Sequence, residues 1–375
     1  MIHYFGDGTP TGRSELLLIT IGGHGDGVAH GFFLFKISVP APPRTSAKCV
    51  VARGSPLRPT SGSATVACLT QLNTGATGPM IIDVHAHVYA RPLIPKANGL
   101  TFMSAEQQVQ RMDEKGIDKA VILPLNSADG PAERQSMGEV LSICERYPGR
   151  FIPFCEIDPR RHDWQTVDDF LWGLEFYQKA GFVGFGELTC RLPFDDPKLM
   201  ALFGACERIG FPVTFHTSPP EKQTYGVIDT LFLPRFERVL QSFPDLVFFG
   251  HSGSFWSEIS GDLSADQKEG YPKGPIAPGG TIPRLLRQYP GLNCDISAGS
   301  GFNALTRDPE FTWGFIEQFQ DRILLGLDAT DVELDFQHIE WLTQARDDGH
   351  ITTDVLDKIL WRNANRLIGL DLEEA

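Results

Sequence analysis

The chain has 375 residues, 42% of them hydrophobic, enough for one large domain or two small ones. Its formal charge of −14, from 33 basic and 47 acidic side chains with no basic stretch, argues against nucleic acid or an anionic membrane surface as a partner. Seven scattered cysteines without a Cys-x-x-Cys pair indicate neither a disulfide framework nor a thiolate zinc site, so a reducing cytoplasm is the simplest home.

Composition changes near residue 80. Residues 1–79 carry a net charge of +3, which leaves −17 for the remainder. From Pro40 to Pro79 the chain is rich in Pro, Gly, Ser, Thr and Ala without any period, as expected of a disordered stretch. Within this extension only "HGFFLFKISV" has the makings of a strand. The opening residues make a poor signal peptide, because an acidic residue precedes their short apolar run. Elsewhere the apolar runs are interrupted well short of the roughly 20 residues that span a bilayer. Met80 opens "MIIDVHAH", a natural first strand. The sequence thus divides into an unordered extension, 1–79, and a folded domain, 80–375. A start codon assigned upstream of the native one would leave the same pattern.

Beyond residue 80, short apolar runs alternate with longer amphipathic segments. The runs are "MIIDVHAH", "KAVILPL", "FIPFCEI", "FVGFGEL", "FPVTFHT", "LVFFGHS", "LNCDIS" and "ILLGLD". Helical segments between them include "SAEQQVQRMDEKG", "ERQSMGEVLSICERYPG", "DDFLWGLEFYQKAG", "PKLMALFGACERIG" and "DPEFTWGFIEQFQ". Ser104 and Gln107 have the spacing of a capping box, and Gly116, Gly149, Gly181 and Gly210 stand where helices end. Near-continuous apolar strands each followed by a helix describe a parallel sheet covered by helices. Eight such units suggest closure into a (β/α)8 TIM barrel, although an open doubly wound sheet gives a similar alternation.

Polar residues fall at the ends of these strands: His85 and His87 on the first, Glu187 on the fourth, His216 on the fifth, His251 on the sixth and Asp328 on the eighth. In a parallel barrel these ends open onto one face, the face that carries active sites. Buried polar groups need partners, and one divalent cation would satisfy several of them. His85 and His87, two apart on a strand, share a face and could grip one ion. His216 and Asp328 would complete its shell, with Asp331 as a competitor for Asp328. Imidazole and carboxylate donors suit Zn²⁺, with Mn²⁺ as another choice. The plain alternative is hydrogen-bonded histidines lining strand ends, or a helix cap for Asp328.

"DVHAH", "MDEKGIDKAVILP", "VTFHTS", "FFGHSG", "RILLGLD" and "NANRLIGL" together resemble the amidohydrolase superfamily, above all its amidohydrolase-related branch, which includes aminocarboxymuconate-semialdehyde and resorcylate-type decarboxylases. The resemblance covers about residues 80–370. It implies His85, His87, His216 and Asp328 as metal ligands and His251 as the second active-site histidine. Glu187 departs from the decarboxylases and is similar to branches that place Lys or Glu at this strand end as a ligand or bridge, so the expected count is one or two ions. A homodimer is what the resemblance suggests.

The reaction expected first is hydrolysis of a small carbonyl-type or ring substrate by a metal-activated water, with Asp328 taking the proton and His251 assisting. Non-oxidative decarboxylation of an unsaturated or aromatic acid is the runner-up, and a non-catalytic binding barrel the third reading. Arg191 is a candidate clamp for a substrate carboxylate. Phe255, Trp256 and Phe302, in loops after the sixth and seventh strands, are candidates for an apolar wall. His162, His338 and His350 read as surface residues.

Overall fold

The computed structural model describes residues 79–131, 133–161 and 163–373, together with three N-terminal strands. The chain divides into two compact units, Met1–Thr74 and Gly75–Ala375. In the first, strands His3–Phe5, Ser14–Ile19 and Phe33–Ser38 pair antiparallel. The strand expected from "HGFFLFKISV" is there, and it pairs with Ser14–Ile19. The rest of the expected disordered stretch, up to residue 78, lies outside the described residues, as does His162.

In the second unit, eight parallel strands follow the eight apolar runs. They are β1 (Ile82–Ala86), β2 (Lys119–Ile122), β3 (Phe151–Pro153), β4 (Phe185–Leu188), β5 (Val213–Ser218), β6 (Phe248–His251), β7 (Leu292–Asp295) and β8 (Ile323–Leu324). Ladders join β1 to β2 to β3, and β4 to β5 to β6 to β7 to β8. Two seams close the ring. Between β3 and β4, the Cys155 amide donates to Gly184 O and the Gly186 amide to Cys155 O, both at 2.9 Å. Between β8 and β1, the Val84 amide donates to Leu325 O and the Asp328 amide to His85 O, again at 2.9 Å. The sheet is therefore a closed barrel, and the open-sheet alternative falls.

Alternation along each strand sorts its side chains. On β5, Phe215 packs outward against the rings of Phe194, Phe236 and Phe248, while its neighbour His216 stands beside His251, its register partner on β6. The covering helices obey local rules. Helix Ala105–Lys115 begins with Ser104 and Gln107 in a reciprocal capping box and ends at Gly116, whose φ of +70° lets its amide turn back to Met112 O. Helix Pro197–Ile209 ends likewise at Gly210. No helix among the described residues is long and apolar enough to cross a membrane.

Candidate metal centre and active site

Six of the predicted residues, His85, His87, Glu187, His216, His251 and Asp328, converge at the C-terminal mouth. His85 and His87 both present Nε2, with these atoms 3.2 Å apart. Each ring is fixed from behind: His85 Nδ1 lies 2.6 Å from Asp295 Oδ2, and His87 Nδ1 lies 2.8 Å from Leu123 O. An oxygen that accepts from the far ring nitrogen is how a ligating imidazole is oriented. Glu187 Oε2 lies 3.9 Å from His85 Nε2 and 3.4 Å from His87 Nε2. Asp328 Oδ1 lies 3.8 and 3.4 Å from the same two atoms. A cation bound tetrahedrally at about 2.0–2.2 Å sets neighbouring donors roughly 3.3–3.6 Å apart. The observed spacings bracket that range.

Asp328 carries the clearest sign of a missing partner. Its Oδ1 is buried and accepts no hydrogen bond. Such an atom costs about 1–3 kcal/mol unless something meets it, and a divalent cation would. The residue is a non-glycine held at φ +51°, a conformation that side chains resist. Its amide bond to His85 O keeps it there. Asp331, the rival ligand, is engaged elsewhere, by Lys96, Asn98 and its own loop.

His216 lies on the other side of Glu187. Its Nδ1 is 3.0 Å from Glu187 Oε1, and His251 Nε2 is 3.9 Å from that same oxygen. Glu187 thus stands between two donor groups, His85 with His87 on Oε2 and His216 with His251 on Oε1. His251 Nε2 also lies 3.6 Å from Asp328 Oδ2, and its Nδ1 lies 2.8 Å from Ser297 Oγ.

Electrostatics follow from packing three carboxylates among four imidazoles in a largely buried cluster. Burial raises the Glu187 carboxyl, but hydrogen bonds from His216 and His87 outweigh it and hold the group well below the usual carboxylate range. Burial likewise raises Asp328 and Asp295, but the charge of His85 above all outweighs it and lowers both. Burial lowers His85 and His87, yet the carboxylates prevail and lift them to about 9 and about 10. His251 goes the other way: burial and the charge of His85 push it down to about 4.

The cluster opens into a cavity of about 130 Å³ walled by Phe102, Leu125 and Pro131, with Lys96, Tyr225 and Thr330 beside the metal-type residues. The aromatic candidates are not in it. The short helix Gly253–Trp256 begins directly after β6 and turns its rings back into the barrel wall. Phe255 is fully buried against Phe215, and Trp256 donates its indole N–H to Asp295 O at 2.9 Å. Phe302 packs on His338 and Trp341. His338, expected at the surface, is buried, with Nε2 2.9 Å from Ile296 O. His350 is exposed and stacks on Trp313. Arg191 lies outside the cavity, bonded to the loop after β5.

Asp295 and Glu156 carry the same sequence mark as the others, a carboxylate at the end of an apolar run. Lys96 and Tyr225 had no such signal, since only the loops' path brings them to the mouth.

The family model described as amidohydrolase matches residues 82–370, from the first strand to the last helix. The chain belongs to this amidohydrolase family. No curated protein matches the sequence. Among solved structures, the chain is similar to an uncharacterised TIM-barrel protein from Bordetella bronchiseptica, with 20% identity over 77% of this chain and 98% of that one and a TM-score of 0.53. It is also similar to a candidate 2-pyrone-4,6-dicarboxylic acid hydrolase from Pseudomonas putida, at 15% identity over 79% and 100% of the two chains and a TM-score of 0.51. A manganese complex of 5-carboxyvanillate decarboxylase from Novosphingobium aromaticivorans follows at 15% identity, 79% and 97% coverage and a TM-score of 0.49. At these identities the likeness is one of fold, and the fold is the TIM barrel. The chain is accordingly an amidohydrolase-family enzyme, and this cluster of His, Glu and Asp is its candidate metal centre.

Proposed function

We propose that this enzyme is a metal-dependent hydrolase of a small, acid-bearing carbonyl or ring substrate. The observation that carries the reading is the position of Glu187 between two donor groups, with the unsatisfied Asp328 Oδ1 facing the first of them. His85, His87, Glu187 and Asp328 would hold one divalent ion, Zn²⁺ or Mn²⁺. His216, with Glu187, would hold a second ion or position water.

When bound, the cation supplies Lewis acidity, which acidifies water and polarises a carbonyl. The protein's own groups do the rest. Asp328 accepts the proton of the attacking water. His251, neutral at the outset because its basicity is depressed, receives that proton at Nε2 from Asp328 and delivers it to the leaving group. Ser297 holds the ring in place through Nδ1. Phe102, Leu125 and Pro131 exclude water around the reacting carbon.

Those same apolar walls favour a second reading, non-oxidative decarboxylation of an unsaturated or aromatic acid, because a carboxylate pressed against them loses hydration that the charge-dispersed transition state needs less. The deciding experiment incubates metal-loaded protein in ¹⁸O-labelled water with panels of lactones, amides and aromatic acids. Hydrolysis places one label in the product acid. Release of CO₂ with no label in the organic product would overturn the hydrolase reading.

A further inference from the structure

Beside the catalytic cavity lies a second, open hollow of about 430 Å³, lined by Asp129, Arg191, Gln223, Thr224 and Tyr225. Tyr225 lines both spaces. Its ring lies 4.4 Å from that of His216, and the next residue, Gly226, is at φ +118° with no room for a side chain: a Cβ there would come within 3.0 Å of His216 Cδ2. Tyr225 is thus fixed against the site, with the catalytic cavity on one side and the hollow on the other.

Arg191 on the wall of this hollow is only partly buried, yet it has no carboxylate within ion-pair distance among the described residues. Its Nη1 donates to Ser218 Oγ at 3.3 Å and to Thr224 O, and its Nη2 to Pro220 O at 3.4 Å, all neutral acceptors. The nearby Asp129 is spent on others: it takes the Arg191 backbone N–H at 3.1 Å and pairs with Arg160 at 2.6 Å. A guanidinium held in place without a counter-charge, at the edge of a reactive cavity, is suited to bind an anionic group in its fork.

Building on the acid substrate of the proposed function, we propose that the substrate is two-ended: its reacting part fills the catalytic cavity, and a second carboxylate passes Tyr225 to rest on Arg191. Substrates with a single acid group would fill the inner space alone.

The test is calorimetric binding to the full-length, metal-loaded protein of benzoate, isophthalate and 3-(2-carboxyethyl)benzoate. At least one diacid is expected to bind about tenfold more tightly than benzoate. Arg191→Gln should bring the diacids within twofold of benzoate and leave benzoate unchanged. Arg191→Lys, which keeps the charge and loses the fork, should give up part of the preference and serves if the glutamine variant does not fold. Equal affinity of the three acids for the native protein, or a diacid preference that survives Arg191→Gln, would overturn the proposal. So would failure of all three to bind. Hydrolytic turnover with no diacid preference keeps the proposed function and removes this subsite. A diacid preference without hydrolysis does the reverse.

Discussion

Single side chains decide the chemistry here, and three of them make separable predictions. Asp328 offers the orphaned oxygen, so Asp328→Asn should abolish turnover and sharply weaken cation retention, read by elemental analysis after dialysis. A fully loaded, active variant would refute its role. Asp295 touches no proposed cation but braces His85 at 2.6 Å. Asp295→Asn is therefore expected to lower metal affinity roughly 10–100-fold with the fold intact, measured by competition with a chelator. Glu156 makes a prediction about pH. It is fully buried, with Oε1 unpartnered and Oε2 accepting the Asn126 amide, and burial pushes its carboxyl well above the usual range. Below the unfolded value both states are protonated and the group costs nothing; as pH rises past it, ionisation favours the unfolded chain. Glu156→Gln should match the native melting temperature near pH 4 and exceed it increasingly toward pH 8. Thermal scans at several pH values will show whether the gap widens.

At the scale of strands and their loops, room is as important as polarity. Gly326 lies just past β8, where a Cβ would come within 2.3 Å of Asp295 Oδ1 and 2.9 Å of Ser297 Cβ. Gly326→Ala should cost roughly 1–3 kcal/mol by overpacking and should shift Asp295, weakening metal binding as Asp295→Asn does. Denaturant melts alongside metal titration will test both parts. The comparison with the sequence is instructive at this level. The eight strands could be read because strands buried on both faces are apolar throughout, and the polar residues that meet at the mouth because a polar side chain at such a strand's end is costly unless used. Loops carry neither mark. Phe255 and Trp256 looked like walls because they follow a strand end in a Gly-rich segment, but an immediate helical turn after β6 buries them. Lys96 and Tyr225 reach the cavity through loop paths that no local periodicity encodes. His216 reaches the mouth, yet it meets the Glu187 oxygen opposite to the one that His85 and His87 face, because its side depends on register across β4 and β5, which a single strand cannot reveal.

Across the whole molecule, the family match and the closed barrel both fall within the second compact unit. A chain beginning at Met80 is therefore expected to fold cooperatively and to bind metal with unchanged affinity, checked by calorimetry against the full-length protein. Loss of folding would give the N-terminal strands a structural role in the barrel. The seam between first and last strands has a consequence of its own. The amide of Asp328 bonds the carbonyl of His85, so the junction of the barrel's first and last strands and two proposed ligands are one and the same place. Stripping the ion from such a joint should loosen the barrel first where its circumference was sewn up. Amide hydrogen exchange at residues 84 and 328 would then quicken on chelation before that of the opposite staves, making these two positions a built-in gauge of occupancy.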